Sequence, residues 1–227
     1  MSLAIFDLDN TLLGDDSDYL WGQFLVEQQL VDKDFYEREN QRFYEDYKAG
    51  TLDILEFLAF SLQPLSRIEP DTLTKLHAQF MREKITPVIL PKAKALLESH
   101  RENGDTLIII TATNSFITGP IAAALGVDNL IATEPEIIDG RYTGLVAGIP
   151  CFRDGKLTRL ETWLLANQQN LEGSCFYSDS HNDLALLEMV SKPVAVDPDD
   201  TLAQHAASKG WPIISLRDEE TSPSLRE

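Results

Sequence analysis

The chain has 227 residues, a hydrophobic fraction of 43% and a net charge of −18, from 37 Asp+Glu against 19 Lys+Arg. That length suits one large domain or a core domain with a smaller companion. So negative a field repels nucleic-acid backbones and offers anionic membranes no footprint, and no apolar run approaches a membrane span, so neither is expected as a partner. An anionic substrate would need local cations, a metal included, to outweigh the same field.

Residues 1–6 are apolar and reach Asp7 at once, with no basic n-region and no cleavage site. They read as a first strand, Leu3 to Phe6, and not as a signal peptide. From Leu13 to Thr86 the alternation of strand and helix is broken by a stretch too long for a structureless loop. Helical spacing recurs there in Tyr19, Leu20, Trp21, Phe24 and Leu25, in Tyr36, Phe43 and Tyr47, in Leu52, Leu55, Leu58 and Leu62, and in Leu73, Leu76 and Phe80. Gly50, Pro64 and Pro70 punctuate these helices. The reading is an all-helical cap over 13–86, its aromatic stripes forming its own core.

Pro87 and Pro91 mark the return. A helix from Pro91 to a C-cap at Asn103-Gly104 precedes a strand, Leu107 to Ile110. A second helix runs from Asn114 to Leu125, and a third begins near Lys156 with Leu157, Leu160, Trp163 and Leu164 on one face. Short apolar strands follow at Cys175 to Tyr177, Val194 to Val196 and Ile213-Ile214. Strands separated by helices predict a parallel α/β core made of 1–12 and 87–217. The charged end, 218–227, reads as a flexible tail. Cys151 and Cys175 form no C-x-x-C pair or zinc spacing and read as buried thiols in a reducing cytoplasm.

In open α/β sheets, ligands bind beyond the carboxyl ends of the strands. Three strands run into polar clusters there: Asp7-Leu8-Asp9-Asn10-Thr11, Thr111-Ala112-Thr113-Asn114 and Ser178-Asp179-Ser180-His181-Asn182-Asp183. Each is weak alone, because Asp-x-Asp recurs at Asp16/Asp18, Asp32/Asp34 and Asp197/Asp199. Three clusters at three strand ends are specific. Asp7, Asp9 and Asp179, with Asp183 a turn beyond, offer the hard oxygens that Mg²⁺ takes and shares with phosphate. An ionised Asp can then attack phosphorus and form an aspartyl-phosphate. A second carboxylate two residues on can protonate the leaving oxygen and later deprotonate water.

The first cluster resembles the first motif of the haloacid dehalogenase superfamily of phosphohydrolases. Thr111 after its strand is similar to the second motif, Lys156 after Asp154-Gly155 to the third, and the Asp179/Asp183 segment to the fourth. The resemblance runs from Leu3 to about Trp211. A helical cap between the first two motifs, with Ile85-Thr86-Pro87 at the return, resembles the phosphoserine-phosphatase-like branch. The resemblance implies a Rossmann-like parallel sheet with the Asp7 strand central, and a strand pair around Asp139 to Gly144. It implies Asp7 as nucleophile and metal ligand, and Asp9 as general acid/base with its backbone carbonyl on the metal. Thr111 and Lys156 would hold phosphoryl oxygens, Asp179 would bind Mg²⁺ and Asp183 would order the metal site. Asn182 would approach the phosphate, with Thr113 also on the substrate side. His181 receives no role.

One departure bears on the substrate, a small phosphate ester. In phosphoserine phosphatases an Arg after a Gly-x-Leu turn of the cap clamps the substrate carboxylate. Gly50-Thr51-Leu52 matches the turn, but Asp53 to Gln63 contains no Arg or Lys. A buried carboxylate without a partner is costly. Asp15, Asp16 and Asp18 at the cap entrance could instead receive an amino group, or cap the helix of Tyr19. The expected substrate is an amine-bearing ester without a carboxylate, histidinol phosphate first. Phosphoserine is the alternative, with Arg38, Arg42 or Arg67 as substitute arginine clamps and Lys33 and Lys48 after them. A reading of another class, an aspartate phospho-acceptor signalling domain, fits neither the long helical insertion nor Asp9.

Overall fold

Four consecutive buried residues, Leu3–Phe6, form β1, a pattern that suits a strand covered on both faces. The computed structural model describes residues 2–217. β1 pairs in parallel with β2 (Thr106–Asn114) on one side and with β5 (Cys175–Ser178) on the other. β3 (Asn129–Ile138), β6 (Lys192–Val196) and β7 (Ile213–Ile214) extend the sheet in parallel. β4 (Arg141–Ala147) closes one edge antiparallel to β3. The order β4-β3-β2-β1-β5-β6-β7 makes β1 central.

The α/β fold and the central Asp7 strand agree with expectation; two details differ. The sheet is not wholly parallel, because Asp139 and Gly140, at φ 50° and 76°, reverse the chain into a hairpin between β3 and β4. β2 also outruns its expected end at Ile110. Thr111 and Thr113 therefore lie on the strand itself, where β-branched residues are at home, and its register with β3 slips between Ile110 and Asn114.

Alternate residues of the central strands face opposite layers. Leu3, Ile5, Ile108 and Ile110 pack with Leu160 and Leu202, from α8 (Asp154–Asn167) and α10 (Asp200–Lys209). Ala4, Phe6, Leu107 and Ile109 join the other core, with α6 (Pro91–Glu102), α7 (Ser115–Ala124) and helices from the segment between β1 and β2. The short α9 (Leu184–Leu187) follows the polar cluster after β5.

That inserted segment contains α1 (Ser17–Glu27), α2 (Lys33–Ala49), α3 (Ile54–Ser61), α4 (Gln63–Arg67) and α5 (Pro70–Phe80). Asp16, Asp32 and Asp53 cap α1, α2 and α3 by accepting free N–H groups of the first turn. Pro70 opens α5, where a missing N–H costs nothing. The chain leaves and returns through a paired stem. Leu13 bridges Ile89, the Gly14 N–H donates to the Val88 carbonyl at 2.7 Å, and the Leu90 N–H donates to the Leu12 carbonyl at 3.2 Å. Trp21 of α1 meets Phe80 at 5.1 Å and Phe116 of α7 at 5.3 Å, edge to face. Each such pair adds roughly 0.5–1.5 kcal/mol beyond area burial, which anchors the helices beside β2.

Cys151 and Cys175 are buried and unpaired. No helix among the described residues is long and apolar enough to cross a membrane. The expected tail, 218–227, lies outside the described residues.

Candidate active site

Asp7 directly follows β1, and its N–H donates to the Tyr177 carbonyl at 2.9 Å, so the β1–β5 ladder fixes its backbone. Lys156, in the first turn of α8, donates to Asp7 Oδ1 at 2.8 Å and to Asp183 Oδ1 at 2.7 Å. The Ser178 hydroxyl donates to Asp183 Oδ2 at 2.7 Å. Asp7, Lys156 and Asp183 are only 4%, 3% and 3% exposed. Burial pushes Asp7 up to about 7; the Lys156 ammonium pulls it down and Asp183 pushes it up again. For Lys156 burial works downward, but Asp183 and Asp7 hold the ammonium well above its ordinary range.

Gly155 lets Lys156 sit there. A Cβ on Gly155 would lie 2.0 Å from the Pro150 carbonyl oxygen, so the glycine is required by close approach of backbone to backbone.

Asn10, at φ 58°, turns the chain sharply after Asp9. Thr11 then reaches the neighbouring cluster: its hydroxyl donates to Asp179 Oδ1 at 2.9 Å and accepts the Asp179 N–H at 3.1 Å. Burial, and after it the charge of Asp7, raise Asp179 well above the ordinary carboxylate range. Asp9 Oδ1 accepts the Ser17 N–H at 2.7 Å, and Oδ2 accepts the hydroxyls of Thr113 at 2.8 Å and Thr111 at 3.4 Å. Burial raises Asp9 too, against the lowering bonds from Ser17, Thr113 and Thr111.

The three polar clusters thus meet at one sheet edge, below a cavity roofed by the inserted helices. Asp7, Asp9, Thr111 and Thr113 line its floor. Asp16 and Asp18 line it from the start of α1, facing Phe43, Tyr44, Tyr47 and Phe57. Asp16 caps α1 through the Tyr19 N–H at 2.8 Å. Asp18 is 8% exposed and its Oδ2 has no hydrogen-bond partner. Burial, with Asp9 adding to it, pushes Asp18 up to about 7. No Lys or Arg among the described residues lines this cavity. The three arginine clamps point elsewhere. Arg42 pairs with Glu39 at 3.0 Å and Glu56 at 2.8 Å, and Arg38 pairs with Glu39 at 3.1 Å. Arg67 lines a separate groove beside Gln29 and Tyr36.

Asn182 donates to the carbonyl of Tyr47, a cavity-lining residue, at 3.4 Å. His181 Nδ1 is 2.7 Å from Asp199 Oδ2, which also accepts the His181 N–H at 2.8 Å. Two residues that the sequence reading missed complete the site. Asn40 lines the cavity and donates to the Tyr19 carbonyl at 3.1 Å; Arg153 bonds Asn182. Arg153 directly precedes Asp154-Gly155-Lys156, but its conformation leaves no mark in sequence. Among the described residues no group of three or more His, Cys, Asp or Glu side chains gathers as a metal site. Of the three aspartates around Lys156 and Thr11, Asp7 and Asp179 keep free capacity, Asp183 being taken by Lys156 and Ser178.

A central parallel strand running into Asp7, with Lys156 and two further polar clusters around it, defines a class that the chain's matches name. Residues 4–188 match the family model for haloacid dehalogenase-like hydrolases, and the chain belongs to that family. It is 46% identical to a histidinol-phosphatase of Neisseria meningitidis serogroup C (strain 8013), over 95% of this chain and 99% of that one. A crystal structure of a protein of unknown function from Bordetella pertussis Tohama I superposes with a TM-score of 0.89 at 43% identity, covering 95% and 99% of the two chains. A substrate-bound phosphoserine phosphatase shares the fold at a TM-score of 0.67 and 18% identity, covering 95% and 93%.

Proposed function

We propose that the chain hydrolyses histidinol phosphate through a phosphoryl group carried on Asp7. As a haloacid dehalogenase-like hydrolase with phosphatase relatives, the chain is a phosphoric monoester hydrolase; the ester and the mechanism are the proposal. The lining of the cavity carries it. Asp16 and Asp18 suit a substrate ammonium, and no Lys or Arg among the described residues lines the cavity to receive a carboxylate. A phosphoserine carboxylate would be buried there against aspartates, which costs several kcal/mol as an unpaired ion (order of magnitude). The 46% identity to a histidinol-phosphatase supports the same choice. Two free buried thiols fit the cytoplasm.

Lys156 holds Asp7 Oδ1, which leaves Oδ2 to attack phosphorus in line. Asp9, its carboxyl oriented by the Ser17 N–H and the Thr113 hydroxyl, gives its proton to the leaving alcohol. Its raised pKa keeps that proton available. Once the alcohol departs, the Asp9 carboxylate takes a proton from the water that attacks the aspartyl-phosphate. The Thr111 hydroxyl and the Lys156 ammonium balance charge on the phosphoryl oxygens.

The residues present fit Mg²⁺. Asp7 and Asp179 stand close enough for Asp7 to raise Asp179, a repulsion that a shared cation would relieve. Asp7 and Asp179, with the Asp9 backbone carbonyl, would hold it, a sparse oxygen set of the kind Mg²⁺ takes. When bound, Mg²⁺ neutralises charge on the transferring phosphoryl group and keeps both carboxylates ionised.

The test compares kcat/KM on histidinol phosphate, phosphoserine and p-nitrophenyl phosphate, with Mg²⁺ and with EDTA, using Asp7→Asn as the blank. Histidinol phosphate is expected to lead by tenfold or more. Phosphoserine turnover above the other two would overturn the substrate assignment.

A further inference from the structure

Arg153 precedes α8 at φ 48° and ψ −119°, a conformation that residues with a Cβ adopt under strain. Its guanidinium crosses from the sheet edge to the inserted helices. Nε donates to Asn182 Oδ1 at 3.0 Å, and Nη2 donates to the carbonyl of Gly50 in the turn between α2 and α3. Gly50, at φ 71°, is seated so closely that a Cβ there would lie 2.9 Å from His181 Nε2 and 3.2 Å from Arg153 Nη2. The ring of His181 is held in turn by Asp199. Beneath these polar contacts Phe152 packs with Phe43 and Leu52, so the same junction is also closed by an apolar cluster.

An arginine can only donate, so Asn182 must present its carbonyl oxygen to Arg153. That orientation turns the Asn182 NH₂ group toward the Tyr47 carbonyl at 3.4 Å and the Ser180 hydroxyl at 3.2 Å. Tyr47 itself lines the cavity above Asp7. The 3.4 Å bond is long for an N–H···O bond, so the amide holds it weakly. We infer that Arg153 is a positioning residue for hydrolysis: it latches the helices shut over Asp7 and, through Asn182, aims an amide donor at the transferring phosphoryl group. The inference rests on the phosphatase reading above. Closure and donor orientation are one event, because a single guanidinium makes both bonds. A residue selected at this position for stability alone would be Gly, which takes such a backbone freely.

That contrast supplies the test. Wild type, Arg153→Gly and Arg153→Lys are compared in thermal stability, in kcat/KM on histidinol phosphate with Mg²⁺, and in amide exchange with Mg²⁺ and orthovanadate. Arg153→Gly is expected to keep or raise the Tm while kcat/KM falls tenfold or more, and vanadate should no longer protect the amides of 47–52. Arg153→Lys, able to reach one acceptor but not both, should recover part of the lost kcat/KM. Wild-type kcat/KM with wild-type vanadate protection in Arg153→Gly would overturn the inference. So would a loss of activity that merely tracks a lowered Tm. A wild type that turns over none of the esters would instead defeat the phosphatase reading, and this inference with it.

Discussion

Asp16 and Asp18 stand two residues apart at the start of α1 and differ in what their carboxylates do. Asp16 commits an oxygen to the Tyr19 N–H at 2.8 Å, whereas Asp18 leaves Oδ2 buried without a partner. The first is a helix cap that also lines the cavity. The second costs folding stability, which fits the proposal that it serves the substrate ammonium. Asp18→Asn should therefore lower kcat/KM on histidinol phosphate by roughly thirtyfold, the loss of about 2 kcal/mol from a charged hydrogen bond. At pH 8 the same variant should melt several degrees higher, at about 2–4 °C per kcal/mol. An unchanged preference for the amine-bearing ester over p-nitrophenyl phosphate would remove Asp18 from substrate recognition.

The buried ion pair is a second handle. Lys156 faces both Asp7 and Asp183, and all three are nearly inaccessible. Removing one partner of such a group strands the other charges. Lys156→Ala should cost about 3–5 kcal/mol in urea unfolding and abolish turnover. A variant unfolding at the wild-type midpoint would mean that the triad is not tightly packed in solution.

Asp7 and Asp18 are both pushed by burial from 3.8 up to about 7. Between those values the folded chain keeps protons that the unfolded chain has released, so stability falls as pH rises. Their contribution is complete below about pH 4 and is lost as pH climbs through about 7. In EDTA the Tm should drop between pH 5 and pH 8 (on the order of several degrees), and Mg²⁺ should reduce the drop by holding Asp7 ionised. A Tm that rises over that interval in EDTA would contradict the burial of these carboxylates.

Gly155→Ala probes the approach of α8 to the preceding loop. Its Cβ would meet the Pro150 carbonyl oxygen at 2.0 Å, so the helix start, and Lys156 with it, has to move. Overpacking of this kind costs roughly 1–3 kcal/mol. Calorimetry should register that loss together with a lower kcat, and a neutral outcome in both would disprove the contact.

Much of the sheet edge was legible because its signals are local. A short apolar run ending in Asp-x-Asp, a Thr on an apolar strand and a Lys after Asp-Gly each carry their meaning within a few residues. Helical spacing exposed the inserted segment for the same reason, through Trp21, Phe24 and Phe80. Arg153 and Asn40 escaped notice because their importance is tertiary. Asn40 matters only since Gly22 brings α1 against α2, where an added Cβ would meet the Asn40 amide at 2.7 Å. Arg153 matters only through a backbone conformation that no composition reveals. The hairpin of β3 and β4 was legible only through the resemblance around Asp139 to Gly144, since its turn rests on two positive φ angles at Asp139 and Gly140.

The stem at Leu13 and Ile89 has a consequence for how this architecture diversifies. Outgoing and returning chain are hydrogen-bonded to one another before either reaches the helices. Whatever is threaded through that clasp leaves β1, and Asp7 at its end, undisturbed. The inserted helices can therefore vary in sequence while the sheet edge below them keeps its geometry.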